Sequence, residues 1–211
     1  MKPIFIIGAG GFGREIAWTI ERINAVKSTW ELLGFADDAP LRQTGTLAGF
    51  PLLGNVAKAS REYAGAAVFI AIGANATREK VYRELSGHAF PAIIDPSAEV
   101  ATSAELNAGV FAGPRSIVSV NAKLGNFAIV NARAGIGHDC TLEDFSQICP
   151  GATLSGNTTV GRHALVGSNA CTVPGIIIGD RAQIAAGLPV YRNVASDTTL
   201  SPFGIFKNRQ P

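Results

Sequence analysis

The first ninety residues alternate short apolar runs with stretches of helical spacing. Apolar runs at residues 3–7, 32–35 and 67–72 predict three buried strands. Residues 13–23 carry isoleucines at i, i+4 and i+7, and residues 76–85 begin in a polar cluster, so both segments are predicted to be helices. Strands that alternate with helices in this way are typical of an α/β domain with a parallel sheet.

The rest of the chain has a different period, because an aliphatic residue recurs at every sixth position. The series is Ile94, Val100, Leu106, Ala112, Val118, Leu124, Val130, Ile136, Leu142, Ile148, Leu154, Val160, Val166, Thr172, Ile178 and Ile184. Only Ala112 and Thr172 depart from the aliphatic type, and a small residue such as Ala122 or Ala134 usually stands four places further on. A repeat this regular indicates a solenoid of identical structural units.

Each hexad is predicted to form a short strand and a corner, with the aliphatic residue pointing inward and the small residue fitting the tight turn. Glycine often follows the aliphatic residue, as at Gly113, Gly137 and Gly161, and we expect it to relax the corner backbone. Three hexads close one triangular coil, and stacked coils bury a continuous core. The sequence therefore predicts two domains, an α/β domain over residues 1–90 and a parallel β-helix with a C-terminal cap over residues 91–211.

Composition narrows the range of partners and compartments. The net charge of the 211 residues is only +2, and their 18 Lys and Arg residues are scattered, which argues against nucleic-acid binding. The apolar start is interrupted by glycines and charges, so it does not predict a signal peptide, and no stretch is long enough to span a membrane. Cys140, Cys149 and Cys171 are odd in number and lie within the repeat, which favours a reduced, cytoplasmic protein.

Several segments carry a resemblance to a known group of enzymes. They read IIGAGGFGREIA, GFADD and FIAIGAN in the first domain, and DPSAEV, NARAGIGHDC and PGATLSGNTTVG in the repeats. These segments resemble the hexapeptide-repeat acyltransferases, and within them the sialic acid O-acetyltransferase and the bacillosamine and perosamine N-acetyltransferase group. The resemblance implies a Rossmann-like domain that binds a nucleotide sugar, a left-handed β-helix that uses acetyl-CoA, and a homotrimer with active sites between subunits. The usual right-handed crossover rule would predict the opposite hand.

The resemblance also assigns a catalytic histidine. His138, in the segment GIGHDC, matches the general base of the group, and imidazole suits proton abstraction near neutral pH. Asp139 occupies the place of the carboxylate that orients the base, although many relatives have Glu there. Because Asp is one methylene shorter, Glu143 or Asp144 remains an alternative partner.

Other residues of the repeats are assigned by position. Gly156 stands eighteen residues after His138, so it is expected beside it in the next coil, with room for the thioester and an N–H for the oxyanion. A role in the corner alone is the alternative. Asn131 is either a contact of the acceptor amine or the pantetheine, or part of an inward asparagine ladder. The positions that match acetyl-CoA contacts in the group are Gln147, Gly156, Ser168 and Ala186.

Gly8, Gly10 and Gly13 form a G-x-G-x-x-G segment between a predicted strand and a predicted helix, an arrangement that cradles phosphate. Alone it would suggest NAD, but about 90 residues are too few for a complete dinucleotide fold. The resemblance implies a nucleotide sugar instead. It implies contacts to the diphosphate from Gly10, Gly11 and Phe12, contacts to the base or ribose from Asp37 and Asp38, and a contact from Gly73, for which a purely structural role is equally open.

Three other functions are compatible with a hexapeptide-repeat chain. A zinc hydrolase built on the same repeat needs three stacked histidines, whereas His88 precedes the repeats and His138 and His163 fall on different hexads. We therefore expect no metal. O-acetylation of a sugar hydroxyl and a non-catalytic scaffold that binds a nucleotide sugar remain alternatives to N-acetylation.

Overall fold

A computed structural model describes residues 1–207, apart from the side chain of Leu41. It divides the chain into two compact units, Met1–Pro96 and a second unit that begins at Ser97.

The first unit is an α/β fold around a small parallel sheet. Its strands are β1 (Lys2–Ile7), β2 (Trp30–Ala36), β3 (Thr46–Leu47), β4 (Phe50–Pro51), β5 (Ala67–Ile70) and β6 (Ile93–Ile94), and its helices are α1 (Gly11–Val26), α2 (Val56–Glu62) and α3 (Asn75–Glu84). The sheet has the order β2-β1-β5, and both pairings are parallel. This confirms the predicted α/β pattern. Helix α2 was not predicted, since only Ala59 among its seven residues is buried and it has no apolar periodicity.

Two glycines of the first unit allow α1 to start close behind β1. Gly8 has a φ of +104°, and a Cβ there would lie 2.7 Å from the carbonyl oxygen of Ala71. A Cβ on Gly13 would overlap the carbonyl oxygen of Gly8. Only glycine fits at these two positions, and it allows the chain to turn tightly from the buried strand into the helix.

The second unit is a left-handed parallel β-helix of two-residue strands, as expected. Its first face holds β7 (Glu99–Val100), β10 (Ile117–Val118), β13 (Gly135–Ile136), β16 (Thr153–Leu154), β19 (Cys171–Thr172) and β22 (Pro189–Val190). The second face holds β8 (Glu105–Leu106), β11 (Lys123–Leu124), β14 (Thr141–Leu142), β17 (Thr159–Val160) and β20 (Ile177–Ile178). The third face holds β9 (Phe111–Ala112), β12 (Ile129–Val130), β15 (Gln147–Ile148), β18 (Leu165–Val166) and β21 (Gln183–Ile184).

Residues eighteen apart pair on every face, so each coil repeats the one before it. We call the turn from the first to the second face the first corner, that from the second to the third face the second corner, and that from the third back to the first face the third corner. The aliphatic series fills the interior, since from Ala112 to Ile184 no member is more than 5% exposed. Ile94 departs from the prediction: it is 37% exposed, while its neighbour Ile93 is buried, because no coil precedes this point of the chain.

The corners correct one expectation about glycine. From Leu106 onward, the residue three places after each aliphatic position adopts the left-handed conformation, with φ between 56° and 59° for the non-glycine residues from Arg115 to Arg181. The glycines one place after the aliphatic residue do not have positive φ. Instead, a Cβ on Gly137 or Gly161 would approach the backbone of the next coil to within 2.7 Å or less. These glycines therefore permit close stacking of coils, and they do not relax the turns.

The chain ends the solenoid with a hairpin. Strand β23 (Thr198–Ser201) pairs in parallel with β21, and β24 (Gly204–Lys207) pairs antiparallel with β23. The hairpin thus extends the third face, and Phe203 at its turn is 90% exposed. The remaining residues of the predicted cap, 208–211, lie outside the described part of the chain.

Candidate active site

His138 and Asp139 form a hydrogen-bonded pair at the first corner. Asp139 occupies the left-handed corner position with a φ of 57°, a conformation that aspartate tolerates better than most residues. Its Oδ2 atom accepts a hydrogen bond from Nδ1 of His138 at 2.8 Å. The shorter side chain therefore reaches the imidazole at ordinary hydrogen-bond length. The two side chains are 57% and 45% exposed, so the pair lies at the surface of the solenoid.

A second hydrogen bond holds the carboxylate in place. The Nδ2 amide of Asn121, one coil earlier, donates to Oδ1 of Asp139 at 3.0 Å. The hydrogen bonds from His138 and Asn121 lower the pKa of Asp139 below its ordinary value, and the bond from His138 contributes more. Asp144, the alternative partner of His138, lies at the second corner, where it accepts from Asn126 and pairs with Arg162 at 3.2 Å. The geometry thus favours Asp139 as the residue that orients the imidazole.

The other side of the imidazole faces Gly156. A Cβ on Gly156 would overlap Cε1 and Nε2 of His138, so the absence of a side chain lets the ring lie against the backbone of the next coil. In a neutral imidazole, a hydrogen bond from Nδ1 to Asp139 leaves the lone pair of Nε2 free to accept a proton. Within residues 1–207, neither Nε2 of His138 nor the N–H of Gly156 has a hydrogen-bond partner. The exposed imidazole therefore lies over the buried backbone of Gly156.

The remaining predicted residues of the solenoid do not join His138 within one chain. Gln147 lies on the third face, and Asn131, Ser168 and Ala186 lie at the third corner. Oε1 of Gln147 is buried without a hydrogen-bond partner in the described part of the chain. Oδ1 of Asn131 accepts from the N–H of Ala132 at 2.7 Å, so the side chain caps its own corner and forms no inward ladder.

The first unit holds a cavity of about 350 Å³ at the carboxyl ends of its parallel strands. Its lining includes Gly10, Asp37, Asp38 and Arg42. Oδ2 of Asp37 accepts from the N–H of Ala9 at 2.8 Å, which ties the glycine segment to the end of β2. A cavity at this edge of a parallel sheet is the usual place for a ligand in such folds.

Of the other predicted residues of the first unit, Asp38 lines the cavity, whereas Gly11, Phe12 and Gly73 are not part of its lining. Gly11 is the first residue of α1, and Phe12 packs edge-on against Phe69 with ring centroids 6.4 Å apart. Oδ1 of Asp38 accepts from the N–H of Val56, the first residue of α2, at 3.0 Å. Gly73 does not line the cavity, and its carbonyl oxygen accepts from the buried guanidinium of Arg78.

Arg42 lines the cavity, although it was not among the predicted site residues. Its Nη1 atom lies 3.6 Å from Oδ2 of Asp37 and 3.6 Å from the position a Cβ would take on Gly10. The guanidinium therefore sits beside the amino-terminal end of α1, where both the helix dipole and the side chain favour an anion. No repeat or motif surrounds Arg42, so the sequence offered no signal for it.

Cys140, His88 and His163 are each held by burial or by contacts with neighbouring side chains. Burial raises the pKa of the Cys140 thiol, which is fully buried. His88 bonds with the hydroxyl of Ser60 at 2.8 Å, and His163 stacks on Phe145 with centroids 5.5 Å apart, so His163 is not a solvated residue. Among residues 1–207, no group of His, Cys, Asp and Glu side chains is arranged to hold a metal ion, and no helix is long and apolar enough to cross a membrane.

Two family models match separate parts of the chain. The PglD N-terminal domain family matches residues 3–85, and the hexapeptide repeat of succinyl-transferase matches residues 157–192. Together with the solenoid and its His–Asp pair, these matches define an acyltransferase of the hexapeptide-repeat class.

Relatives that span the whole chain narrow the class further. The GDP-perosamine N-acetyltransferase of Escherichia coli O157:H7 is 27% identical, over 95% of this chain and 98% of its own length. PerB of Caulobacter crescentus in complex with CoA and GDP-perosamine has a TM-score of 0.89 at 26% identity, covering 99% and 98% of the two chains. The acetyltransferase domain of PglB from Neisseria gonorrhoeae in complex with acetyl coenzyme A has a TM-score of 0.87 at 28% identity, covering 98% of each. Over its whole length the chain is similar to this group of hexapeptide-repeat nucleotide-sugar acetyltransferases.

Proposed function

We propose that the protein transfers an acetyl group from acetyl-CoA to the amino group of a nucleotide-linked aminosugar. The observation that carries this proposal is the pair His138–Asp139, with a free Nε2 atom beside the unpartnered N–H of Gly156. The whole-chain likeness to a GDP-perosamine N-acetyltransferase and to PerB with CoA and GDP-perosamine supports the choice of substrates.

The proposed mechanism is direct transfer. Nε2 of His138 takes a proton from the acceptor amine as the amine nitrogen attacks the thioester carbonyl carbon. The N–H of Gly156 donates a hydrogen bond to the oxyanion that develops on the carbonyl oxygen. When the tetrahedral intermediate collapses, the carbon–sulfur bond breaks and the protonated His138 returns a proton to the CoA thiolate. No acyl-enzyme is proposed, since burial raises the pKa of the Cys140 and Cys149 thiols, and the exposed Cys171 thiol has no hydrogen-bonded base among the described residues.

The cavity of the first unit would hold the nucleotide part of the substrate. Gly10 leaves its floor open, and the backbone N–H groups at the start of α1 can bind phosphate oxygens. Arg42 would add charge-assisted hydrogen bonds to the same diphosphate, in exchange for its contact with Asp37. The carboxylate of Asp38 would then face the ribose or the base from the same wall.

Acetyl-CoA binding is proposed to require a homotrimer. Gln147, Ser168 and Ala186 lie on the third face and third corner, away from the first corner that carries His138 and Gly156. A three-fold assembly that sets the third corner of one protomer against the first corner of its partner would unite these residues in one groove. Asn131 would enter the same groove from the third corner.

The test is a substrate panel. Purified protein is assayed for CoA release with UDP-, GDP- and dTDP-linked aminosugars, and each product is examined by mass spectrometry for one added acetyl group. The matched controls are the corresponding sugars with a hydroxyl in place of the amine. We expect turnover with at least one aminosugar and none with its hydroxyl counterpart. Transfer to the hydroxyl sugars, or binding of nucleotide sugar without any CoA release, would contradict the proposal.

A further inference from the structure

Thr172 interrupts the interior of the solenoid close to the proposed catalytic corner. It stands where the aliphatic series would place Val or Ile, and it is 5% exposed. It lies one coil beyond Leu154, the inward residue of β16. Leu154 is followed by Ser155 and then by Gly156, the residue that lies against the ring of His138.

The backbone ladder changes at this point and nowhere else along the first face. Strand β16 pairs with β19 through a single residue pair, Thr153 with Cys171, whereas the pairings β13–β16 and β19–β22 each have two. One coil earlier, the N–H of Gly137 donates directly to the carbonyl oxygen of Leu154 at 2.9 Å. The equivalent direct bond, from Ser155 to the Thr172 carbonyl, is replaced.

Side-chain hydroxyls take over the missing bond. The N–H of Ser155 donates to Oγ1 of Thr172 at 3.0 Å, and the hydroxyl of Ser155 donates to the carbonyl oxygen of Thr172 at 2.6 Å. The hydroxyl of Thr158 donates to the carbonyl oxygen of Ser155 at 2.7 Å. Since that bond uses the Thr158 proton, the 3.0 Å contact between the two threonine hydroxyls has Thr172 as its donor. Every hydroxyl of this network is therefore bonded.

Such a network is costly to bury unless each group is satisfied, and an aliphatic residue with the regular ladder would fill the same space. What the network changes is the backbone position of Ser155, because two hydroxyls now separate it from the next coil. Gly156 follows directly, so its distance from the His138 ring depends on this arrangement.

We propose that Thr172 and Ser155 are positioning residues, which hold the backbone of Gly156 at the distance from His138 that lets its N–H meet the developing oxyanion. This inference rests on the proposed acetyl transfer at the first corner. Neither residue touches the substrate, and both act through Gly156.

The first test compares two substitutions of Thr172 under steady-state kinetics. Thr172→Val keeps the shape, removes the hydroxyl and restores the aliphatic series. It is expected to lower kcat by about 10-fold to 100-fold. This decrease is no larger than the one expected when an oxyanion donor is removed altogether. KM for acetyl-CoA and the melting temperature should stay the same, or the melting temperature should rise. Thr172→Ser keeps the hydroxyl and should retain most of kcat.

A control is Ser146→Ala, which removes a fully buried hydroxyl at a small-residue corner position of the same solenoid, where it has no hydrogen-bond partner among the described residues. This variant should keep the wild-type kcat. A Thr172→Val enzyme with wild-type kcat, alongside an inactive His138→Ala enzyme, would overturn the inference and leave the proposed function intact. Wild-type protein without transferase activity would instead overturn the proposed function.

A second measurement does not depend on activity. In a crystal structure of Thr172→Val, we expect the N–H of Ser155 to bond directly to the carbonyl of residue 172 and the backbone of Gly156 to shift relative to His138. An unchanged Gly156 in that structure would end the inference, whatever the kinetic result.

Discussion

The α-carbon of Gly156 lies against the imidazole ring of His138, eighteen residues earlier, so closely that a β-carbon would overlap Cε1 and Nε2. The contact arises because the coil repeats every eighteen residues and stacks the same corner on itself. It joins the free acceptor of the histidine to a free backbone donor, and the proposed chemistry needs both.

Gly156→Ala tests this contact. The backbone of Gly156 is not in the left-handed region, and the ring of His138 is exposed enough to turn aside, so we expect the melting temperature to change little. The displaced ring should lower kcat by about 10²-fold, the usual size of one general-base contribution. Gly135→Ala is the matched control, since its Cβ would meet only Thr153 at an ordinary 3.5 Å. Equal activities of the two variants would count against the role of Gly156.

His138→Ala removes the proposed base. It should lower kcat by roughly 10²–10⁴-fold and leave KM for both substrates nearly unchanged, because general acid–base catalysis acts on the chemical step. Steady-state kinetics with the best aminosugar would measure the effect. Full activity of the variant would remove histidine from the mechanism.

Asp139→Asn tests the orientation of the imidazole. The variant keeps the size of the side chain but loses the carboxylate that accepts from Nδ1, and kcat should fall by about 10-fold to 100-fold, the worth of one hydrogen bond to a charged group. Asp139→Glu, which keeps the carboxylate, should retain much of the activity. If Asp139→Asn were as active as the wild type, another group would have to orient the ring.

Asn121→Ala should change the titration of Asp139 in a known direction. The bonds from His138 and Asn121 lower the pKa of Asp139, so its carboxylate stays ionised at acidic pH values where an ordinary aspartic acid takes up a proton. Removing the Asn121 bond raises that pKa, and protonation then begins at higher pH. Carbon-detected NMR titration of Asp139 in both proteins would measure the shift, and a lower pKa in the variant would contradict the assignment.

Arg42→Ala tests the anion site of the first unit. Loss of the guanidinium beside Gly10 should raise KM for the nucleotide sugar by about 10-fold, the size of one lost charge-assisted hydrogen bond, while KM for acetyl-CoA stays constant. The dependence of KM on salt should also weaken. Arg61→Ala, on the exposed side of α2 and outside the cavity lining, is the control. Identical KM values for the two variants would exclude Arg42 from the site.

Much of the architecture followed from periodicity. Three strands and two helices of the first unit, together with the six-residue repeat, were predicted from apolar spacing, because each inward position of a strand or coil needs an apolar or small side chain whatever its neighbours are. His138 and Asp139 were predicted as catalytic residues from a resemblance. In the structure, Nδ1 of His138 lies 2.8 Å from Oδ2 of Asp139. Helix α2 and Arg42 were missed, since a short exposed helix and a lone cation at the end of the 3₁₀ turn Pro40–Arg42 give no periodic pattern.

The sequence by itself determined the two periods, the glycine segment and the candidate histidine, since each depends on residue type and local spacing alone. Only the tertiary structure decided that Asp139 partners the histidine in preference to Asp144, that the glycines after the aliphatic residues serve close stacking, and that Thr172 is bonded to Ser155. The reason is that these relationships join different coils or depend on the conformation of a corner. These relationships depend on the stacking register of the coils and on backbone dihedral angles, and neither can be deduced from the types and order of the residues alone.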